Sequence, residues 1–519
     1  MSDRRERKKV KKIIEKEIKL DEQVRSISSL VKDIRNNQNP SITGVNMDSR
    51  KVRPGNIFVA ITGTAVDGRL FLSDAVEKGA AALIVEKEIP GYEGVATILV
   101  EDAREALALM VQSFYGNPSR EMTVCGVTGT NGKTTTTYLL KSCLEFGDKK
   151  CGLVGTIEYD LAGVKREAVN TTPSPVLLAE MFADMKEREV ESVVMEVSSH
   201  AIHQKRIDGI DFNVGVFTNL SQDHLDYHKT MENYREVKWR FFSDYIAAEE
   251  GVGVFNVDNE TGRLFASRFS GKKITYGMES SADVYPEKCE LCPDSTKLAL
   301  NLCGEERWID FHLPGRFNIM NVLAASAGAL AAGVSPDGVV EGLSRIRSVP
   351  GRFELVRRGQ PFTVVVDYAH TPDAIERVLA AAAEFTPGRI ITVFGCGGDR
   401  DKEKRPIMAS AVARSMLRNA EDFAILTSDN PRSEDPAVIA SQAEKGLASF
   451  EECRDRYRVN LDRGEAIRDA VKMARKGDCV VITGKGHETH QKIGNRVIHF
   501  DDREEAAEAL ASLGYQIKE

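Results

Sequence analysis

Short apolar runs alternate with helical stretches along most of this 519-residue chain. From residue 122 the rhythm is strand, glycine loop, helix: "MTVCGV", then "TGTNG", then a helix from about Lys133. The runs "SVVMEV" (192–197), "FNVGVFTNL" (212–220) and "GVGVFNVD" (251–258) read as buried strands. Continuous apolar strands separated by helical stretches predict a mostly parallel sheet covered on both faces. Residues 295–313, "STKLALNLCGEERWIDFHL", predict a hairpin appended to that sheet, and 318–345 an alanine-rich helical segment. Before this unit, "SITGVNMDS", "NIFVAI", "AALIVEKEIP" and "VATILVED" predict strands punctuated by Pro54-Gly55 and closed by the turn-rich "YGNPSR" (115–120). After it, "PGRFELV" (350–356) opens a third unit, in which "PFTVVVDYAHTPDAIERVLAAAAEF" predicts strand, turn and amphipathic helix. "RIITVFG", "DFAILTSDN" and "DCVVITG" then supply strands whose C-terminal ends run into glycine- or Asp/Asn-rich loops, where doubly wound sheets bind ligands. The pattern predicts three α/β domains with boundaries near 120 and 349.

The first twenty residues carry nine Lys/Arg against four acidic groups, with Val10, Ile13, Ile14 and Ile18 at helical spacing. Residues 1–40 therefore read as a basic helical N-terminal extension. Its leading helix suits a solvated helix docked on the body, or a surface meeting membrane or RNA. Elsewhere the charge argues the other way: a net −8 and a pI near 5.8 speak against a general nucleic-acid binder. Nine unpatterned cysteines suit reduced thiols in a cytoplasmic protein. Cys289 and Cys292 form one CxxC without a second pair, which reads as a loop rather than zinc ligands. No apolar signal segment opens the chain, and "NVLAASAGALAAGV" (321–334) is too short to span a bilayer, so no transmembrane segment is expected.

The candidate chemistry centres on "GVTGTNGKTT". Glycines between an apolar strand and a helix turn backbone N–H groups toward an anion, and the helix N-terminus and Lys133 add positive charge. Thr134 is placed to ligate Mg²⁺. The pattern departs from a strict Walker loop, since Val127 stands where glycine is usual and Gly126 and Gly129 flank it. A phosphate loop alone does not separate switch from kinase from ligase. "MEVSSH" ends a strand with Glu196, and "TNLSQDHLDYH" ends the next with Asp223, His224, Asp226 and His228. A carboxylate and an imidazole at adjacent strand ends beside that loop suit a metal bridging phosphate and acceptor.

Together "GTNGKTT", "EVSSH", "NLSQDHLDYH" and "GRFNIMN" resemble the Mur ligase family of ATP-dependent amide-forming enzymes, over nearly the whole chain from about residue 41. The resemblance implies a smaller UDP-sugar-binding α/β domain (41–120), a central P-loop NTPase-like domain with a mostly parallel sheet (121–349), and a C-terminal Rossmann-like doubly wound domain that binds the amino acid (350–519). It implies ATP and Mg²⁺, and a γ-phosphate moved to the terminal carboxylate of UDP-N-acetylmuramoyl-L-alanyl-D-glutamate. An amine then displaces phosphate from the acyl phosphate, in peptidoglycan precursor synthesis by a cytoplasmic monomer. Phosphorylation supplies the leaving group a carboxylate lacks, and the enzyme mainly orients ligands and neutralises charge.

The resemblance also distributes roles. Gly129, Thr130, Asn131, Gly132, Lys133, Thr134 and Thr135 would form the ATP loop, with Asn321 near adenine and Arg352, Asp367 and His370 closing from the third domain. Lys133, Glu196, His224 and Lys238 would be the catalytic set. Thr134, Glu196, His224 and Lys238, the last as a carboxylated lysine, would hold magnesium. Ser49 in "MDSR" would contact uridine, and Thr171, Thr172, Ser198, Gln204 and Arg206 would hold the muramoyl-dipeptide. For the amine, "TSDNPRSEDP" (427–436) carries Asp429, Asn430, Pro431 and Arg432. In the family this turn accompanies meso-2,6-diaminopimelate, whose distal carboxylate wants an arginine, whereas lysine-adding relatives lack it. A buried arginine left unpaired by lysine would cost roughly 2–5 kcal/mol. Arg400, Gly484 and Glu488 resemble the rest of that pocket, with Glu488 on the distal ammonium.

Two departures stand out: Thr64-Ala65 replaces a His-Gln pair common in the family, and His490 stands where tyrosine is common. The rival readings are an L-lysine-adding ligase, a folylpolyglutamate synthetase-like ligase, and an NTP-driven switch or binding module.

Overall fold

In the computed structural model, residues 16–63, 66–246, 250–291 and 295–516 are described. Three sheets organise them. The first has five strands in the order Val31–Arg35, Ala96–Val100, Ala82–Val85, Asn56–Val59 and Gly44–Asn46. All neighbours run parallel except Val31–Arg35, which is antiparallel to Ala96–Val100. Over residues 16–40 this corrects the expected helical extension. Ile18–Lys19 is a short strand paired with Ser41–Ile42, the helix is only Leu20–Arg25, and Leu20 and Ile27 are fully buried in the first domain's core. Ile18, one of the positions at helical spacing, is thus used in a separate two-stranded pairing. Val10, Ile13 and Ile14 lie outside the described residues, as do Thr64-Ala65 and Cys292.

The middle sheet has eleven strands. Its centre is Thr123–Thr128, parallel to Ser192–Glu196 on one side and Val214–Phe217 on the other. The near-continuous apolar strands are covered on both faces. Helices Lys133–Leu144, Arg316–Ala331 and Pro336–Arg345 pack on one face. An aromatic layer of Phe212, Phe217, Phe241, Phe242, Phe255 and Phe265 fills the other. The alanine-rich segment is two helices, because Gly333 turns at φ 84° and Ser335 caps a new helix with Pro336 in its first turn. The appended hairpin is present as Thr296–Leu302 and Glu305–Phe311, and Val284–Leu291 joins it as a third antiparallel strand.

The third sheet runs Glu354–Leu355, Thr363–Asp367, Cys479–Thr483, Ile390–Cys396, Phe423–Ser428 and Tyr457–Val459, parallel after the first strand. A hairpin that the apolar pattern did not predict, His490–Ile493 with Arg496–His499, follows it. Among the described residues no helix is long and apolar enough to cross a membrane.

Candidate active site

The strand ends of the middle and third sheets face each other across a cleft of about 1070 Å³. The phosphate-type loop sits on its floor. Strand Thr123–Thr128 stops at Gly129 (φ 150°), and the helix begins at Lys133 after Gly132 (φ 86°). A Cβ at Gly132 would stand 2.5 Å from Asn321 Oδ1, and one at Gly129 would stand 1.9 Å from Thr218 Oγ1. Both glycines are therefore required by close approach as well as by conformation. Lys133 Nζ donates to the carbonyls of Gly129 (2.9 Å) and Thr130 (2.8 Å). Burial pushes this lysine below the usual ammonium value, and Glu196 and Asp223 pull the other way.

Thr134 joins two domains. Its hydroxyl donates to Glu196 Oε1 at 3.0 Å and accepts from Arg352 Nη2 at 3.0 Å. Glu196 also accepts from the backbone N–H (2.9 Å) and hydroxyl (3.1 Å) of Thr156, so this buried carboxylate is held on three sides. Asn131 and Ser221 both donate to Asp373 of the third domain, at 2.7 and 3.0 Å. Thr135 is buried in the first turn of the helix.

Asp223, His224 and Lys238 lie beside the loop. Burial alone would raise Asp223, but His224 and then Lys404, whose Nζ is 2.7 Å from Oδ1, hold it below the usual carboxylate range. His224 sits in the left-handed region (φ 54°), 3.3 Å from Asp223 through Nε2. Burial pushes it down to about 4, against the pull of Asp223, so the ring is neutral near pH 7. Lys238 is 1% exposed, donates to the carbonyl of Gly129 at 2.9 Å, and lies 4.7 Å over the Tyr234 ring. Burial first, and then the neighbouring Lys133, drive its pKa well below the ordinary lysine value.

These donors bear on the implied magnesium. Among the described residues no group of three or more His, Cys, Asp and Glu is arranged to hold a metal by itself. Thr134 and Glu196 do offer hard oxygen donors beside the loop, and Mg²⁺ characteristically takes one or two carboxylates and completes its shell from phosphate and water. The donor set therefore fits a magnesium that arrives with a nucleotide.

In the third domain Arg352 stacks 4.6 Å over the Tyr368 ring. Asp367 is buried and accepts from the backbone N–H groups of Phe353 (2.6 Å) and Ala369 (2.7 Å), which fixes the two turns that carry Arg352 and His370. His370 is exposed, with Nδ1 2.8 Å from the carbonyl of Tyr368. Asn321 is hydrogen-bonded to Asn318 (2.9 Å) and backs onto the loop at Gly132.

The turn Asp429–Arg432 stands at the end of Phe423–Ser428. Arg432 has φ 52° and donates through Nη1 to the carbonyl of Gly398 at 2.6 Å. Its backbone is clasped by the hairpin: its N–H donates to the carbonyl of Lys492 (3.0 Å), and its carbonyl accepts from the N–H of Gly494 (2.6 Å). Gln491 Nε2 donates to the carbonyl of Asp429 (2.7 Å), and the N–H of Lys492 donates to Asn430 Oδ1 (2.9 Å). Asn430 Nδ2 reaches Glu488 Oε2 at 2.8 Å. Beneath the turn, Arg463 pairs with Asp502, both side chains fully buried, and donates to the carbonyl of Thr483 at 2.9 Å. Arg400 is on the facing loop, and it lines the cleft with Asp429, Asn430, Arg432, Gly484 and Glu488. Pro431 does not.

The residues expected to hold a nucleotide-sugar fall in two places. Arg206 donates to the carbonyl of Thr172 (2.8 Å) and to Gln204 Oε1 (2.7 Å). Thr172 in turn bridges the carbonyl of Glu196 and the N–H of Ser198. Thr171 pairs with Thr156 at 3.0 Å and lines the cleft. Ser49 stands apart on the first domain, buried beside Lys78. Sequence reasoning missed Asp373, Lys404, Tyr368 and Lys485 as participants. Each looks like an ordinary loop or helix-start residue until the two sheets face each other.

Family-level comparison finds three matches along the chain: "Mur ligase family, catalytic domain" over residues 41–115, "Mur ligase middle domain" over 127–329, and "Mur ligase, glutamate ligase domain" over 351–486. UDP-N-acetylmuramoyl-L-alanyl-D-glutamate--2,6-diaminopimelate ligase of Geobacillus thermodenitrificans is 44% identical over 91% of this chain and 95% of its own. The ligase of the same name from Bacillus velezensis is 43% identical over the same shares. A solved structure bearing that ligase name matches at 31% identity and a TM-score of 0.65, over 92% of this chain and 96% of that one. A folylpolyglutamate synthase from Mycobacterium tuberculosis shares the fold at 20% identity and a TM-score of 0.58, over 72% of this chain and 91% of its own.

Proposed function

The chain belongs to the Mur ligase family of ATP-dependent ligases, and from that premise we propose that it joins meso-2,6-diaminopimelate to UDP-N-acetylmuramoyl-L-alanyl-D-glutamate. The observation that carries this reading is the Asp429–Arg432 turn opening on the same cleft as the phosphate loop. An arginine and a carboxylate there, Arg432 and Glu488, suit an amino acid with a second carboxylate and a second ammonium. Lysine has no second carboxylate for the guanidinium donors of the half-buried Arg432 that Gly398 does not use.

In this proposal the loop Gly129–Thr135 and Lys133 hold the β- and γ-phosphates of ATP, and Asn321 backs the adenine end. Thr134, Glu196, the neutral imidazole of His224 and a modified Lys238 would hold Mg²⁺, which when bound neutralises phosphate charge. Lys238 is chemically ready for that modification. A lysine pushed toward its neutral amine attacks CO₂ and releases one proton, and the resulting carbamate is an oxygen donor. Arg352 reaches Thr134 from the third domain and adds a cation where charge builds on the transferred phosphoryl group. Thr171, Thr172, Ser198, Gln204 and Arg206 orient the dipeptide so that its terminal carboxylate takes the γ-phosphoryl group, while Ser49 meets the uridine. The amine held by the 429–432 turn then attacks the acyl carbon and phosphate leaves, which forms the amide. Domain limits at 120 and 349, a monomeric state and a cytoplasmic setting complete the reading.

The test is a panel of amines with ATP and the UDP-muramoyl-dipeptide, read by product mass. Product with diaminopimelate and ADP release only when all three substrates are present support the proposal. Equal turnover of L-lysine and diaminopimelate overturns it.

A further inference from the structure

We propose that Lys485 is a positioning residue for the amine substrate, locking Glu488, Asn430 and the following hairpin into one surface that presents a single carboxylate oxygen. This rests on the reading of Glu488 and the 429–432 turn as the amine site. The Lys485 side chain is 0% exposed. A buried ammonium has to be paired and its three hydrogens satisfied. Here they go to Glu488 Oε2 (2.9 Å), Asn430 Oδ1 (3.4 Å) and the carbonyl of His490 (2.5 Å). The acceptors come from two stretches, the turn after Phe423–Ser428 and the run 488–490, so one cation ties that turn to the loop after Cys479–Thr483 where it enters the hairpin. All three hydrogens are engaged, which gives Lys485 no donor to offer a ligand and makes it a fixing point.

The arrangement around Glu488 follows from this. The bonds from Lys485 and Asn430 both fall on Oε2. Among the described residues Oε1 receives no hydrogen bond, and Glu488 lines the cleft. Burial alone would raise this carboxyl; Lys485, Asn430 and His487 hold it below its usual value and thus ionised. An incoming ammonium meets a charged oxygen whose direction is already set, and little order has to be imposed on binding.

The test uses the full-length protein with diaminopimelate varied at saturating ATP and UDP-muramoyl-dipeptide, for Lys485→Met, Glu488→Gln and the double variant. Lys485→Met is expected to raise the KM for diaminopimelate about 30-fold or more, in line with removing one partner of a buried charge pair. The KM for ATP should stay within about two-fold. In the Glu488→Gln background the same change is expected to add less than about three-fold, because two residues acting through one contact are not additive. If Glu488→Gln leaves the amine KM unchanged, the assignment of Glu488 to the amine site fails. If Glu488→Gln raises it but Lys485→Met does not, or if the two effects multiply in the double variant, the positioning role fails. A fall in kcat with equal changes in all three KM values also overturns it, since that is what general loosening of the domain produces. Should Lys485→Met not fold, comparison of Glu488→Gln with the double variant decides, because removing both charges leaves no buried ion unpaired; a much weaker double variant overturns the proposal.

Discussion

The two ends of the cleft are built on opposite principles. The end proposed for phosphate is contiguous: seven residues, Gly129–Thr135, run from the end of one strand into the first turn of one helix and supply backbone donors, a lysine and a threonine, and glycine makes the curve possible. The end proposed for the amine is assembled from three stretches, around 398–400, 429–432 and 484–494, held together by side-chain and main-chain hydrogen bonds. Phosphate is recognised by any ring of N–H groups with a helix terminus behind it. A diamino diacid needs charges of both signs at fixed separations, which no single loop provides. On the proposed reading the first end can be shared by many acceptors, and the second carries the choice.

The contrast makes predictions that differ in kind as well as size. Lys133→Ala should lower kcat about 10³-fold for every amine tried, since a donor to developing phosphoryl charge is lost; amide formation at saturating amine checks this. Arg432→Ala should raise the KM for diaminopimelate about 10²-fold while the KM for ATP holds, and Arg432→Lys should not restore it, because the ammonium lacks the planar fork. A loss of ATP affinity comparable to the loss of amine affinity would dissolve the distinction between the two ends. Gly484→Ala should cost about 1–3 kcal/mol of stability, measured by urea unfolding, since φ is 114° and the new Cβ would meet Asp429 Oδ2 at 2.5 Å.

The smallest effect is on pH. His487, packed on Tyr368, is pushed down to about 3, and His228, stacked on Tyr234, to about 4, both chiefly by burial. The unfolded chain takes up these protons near pH 6.5, before the folded one does. Stability should therefore be full above that pH and decline as pH falls from about 6.5 toward 4. Thermal unfolding across that range should show the fall, and His487→Phe should flatten it. A slope of opposite sign would mean that these rings are protonated in the fold.

The same contrast decides what could be read from the sequence. "GTNGKTT" between an apolar strand and a helix states its chemistry locally, as does the parallel sheet around it. Glu196 and His224 were picked out because one ends and the other follows an apolar strand, and those two strands flank the one that carries the loop. Lys238 was reached only through the resemblance, since a helical lysine carries no mark of being buried against Gly129. Lys404 and Asp373 act across the cleft from strands over a hundred residues away, and no spacing along the chain encodes that meeting. Ile18 misled because in the sequence it falls at helical spacing, while tertiary pairing with Ser41–Ile42 uses it in a strand.

The clasp between the hairpin and the Asp429–Arg432 turn has a consequence for anyone wishing to re-aim the enzyme. Arg432 holds a left-handed backbone, and the main chain of Lys492 and Gly494 grips it from both sides. Exchanging that one side chain leaves the turn held in its old shape. A graft that transfers taste for another amino acid should carry residues 429–432 and 484–499 together, as one exchangeable cassette.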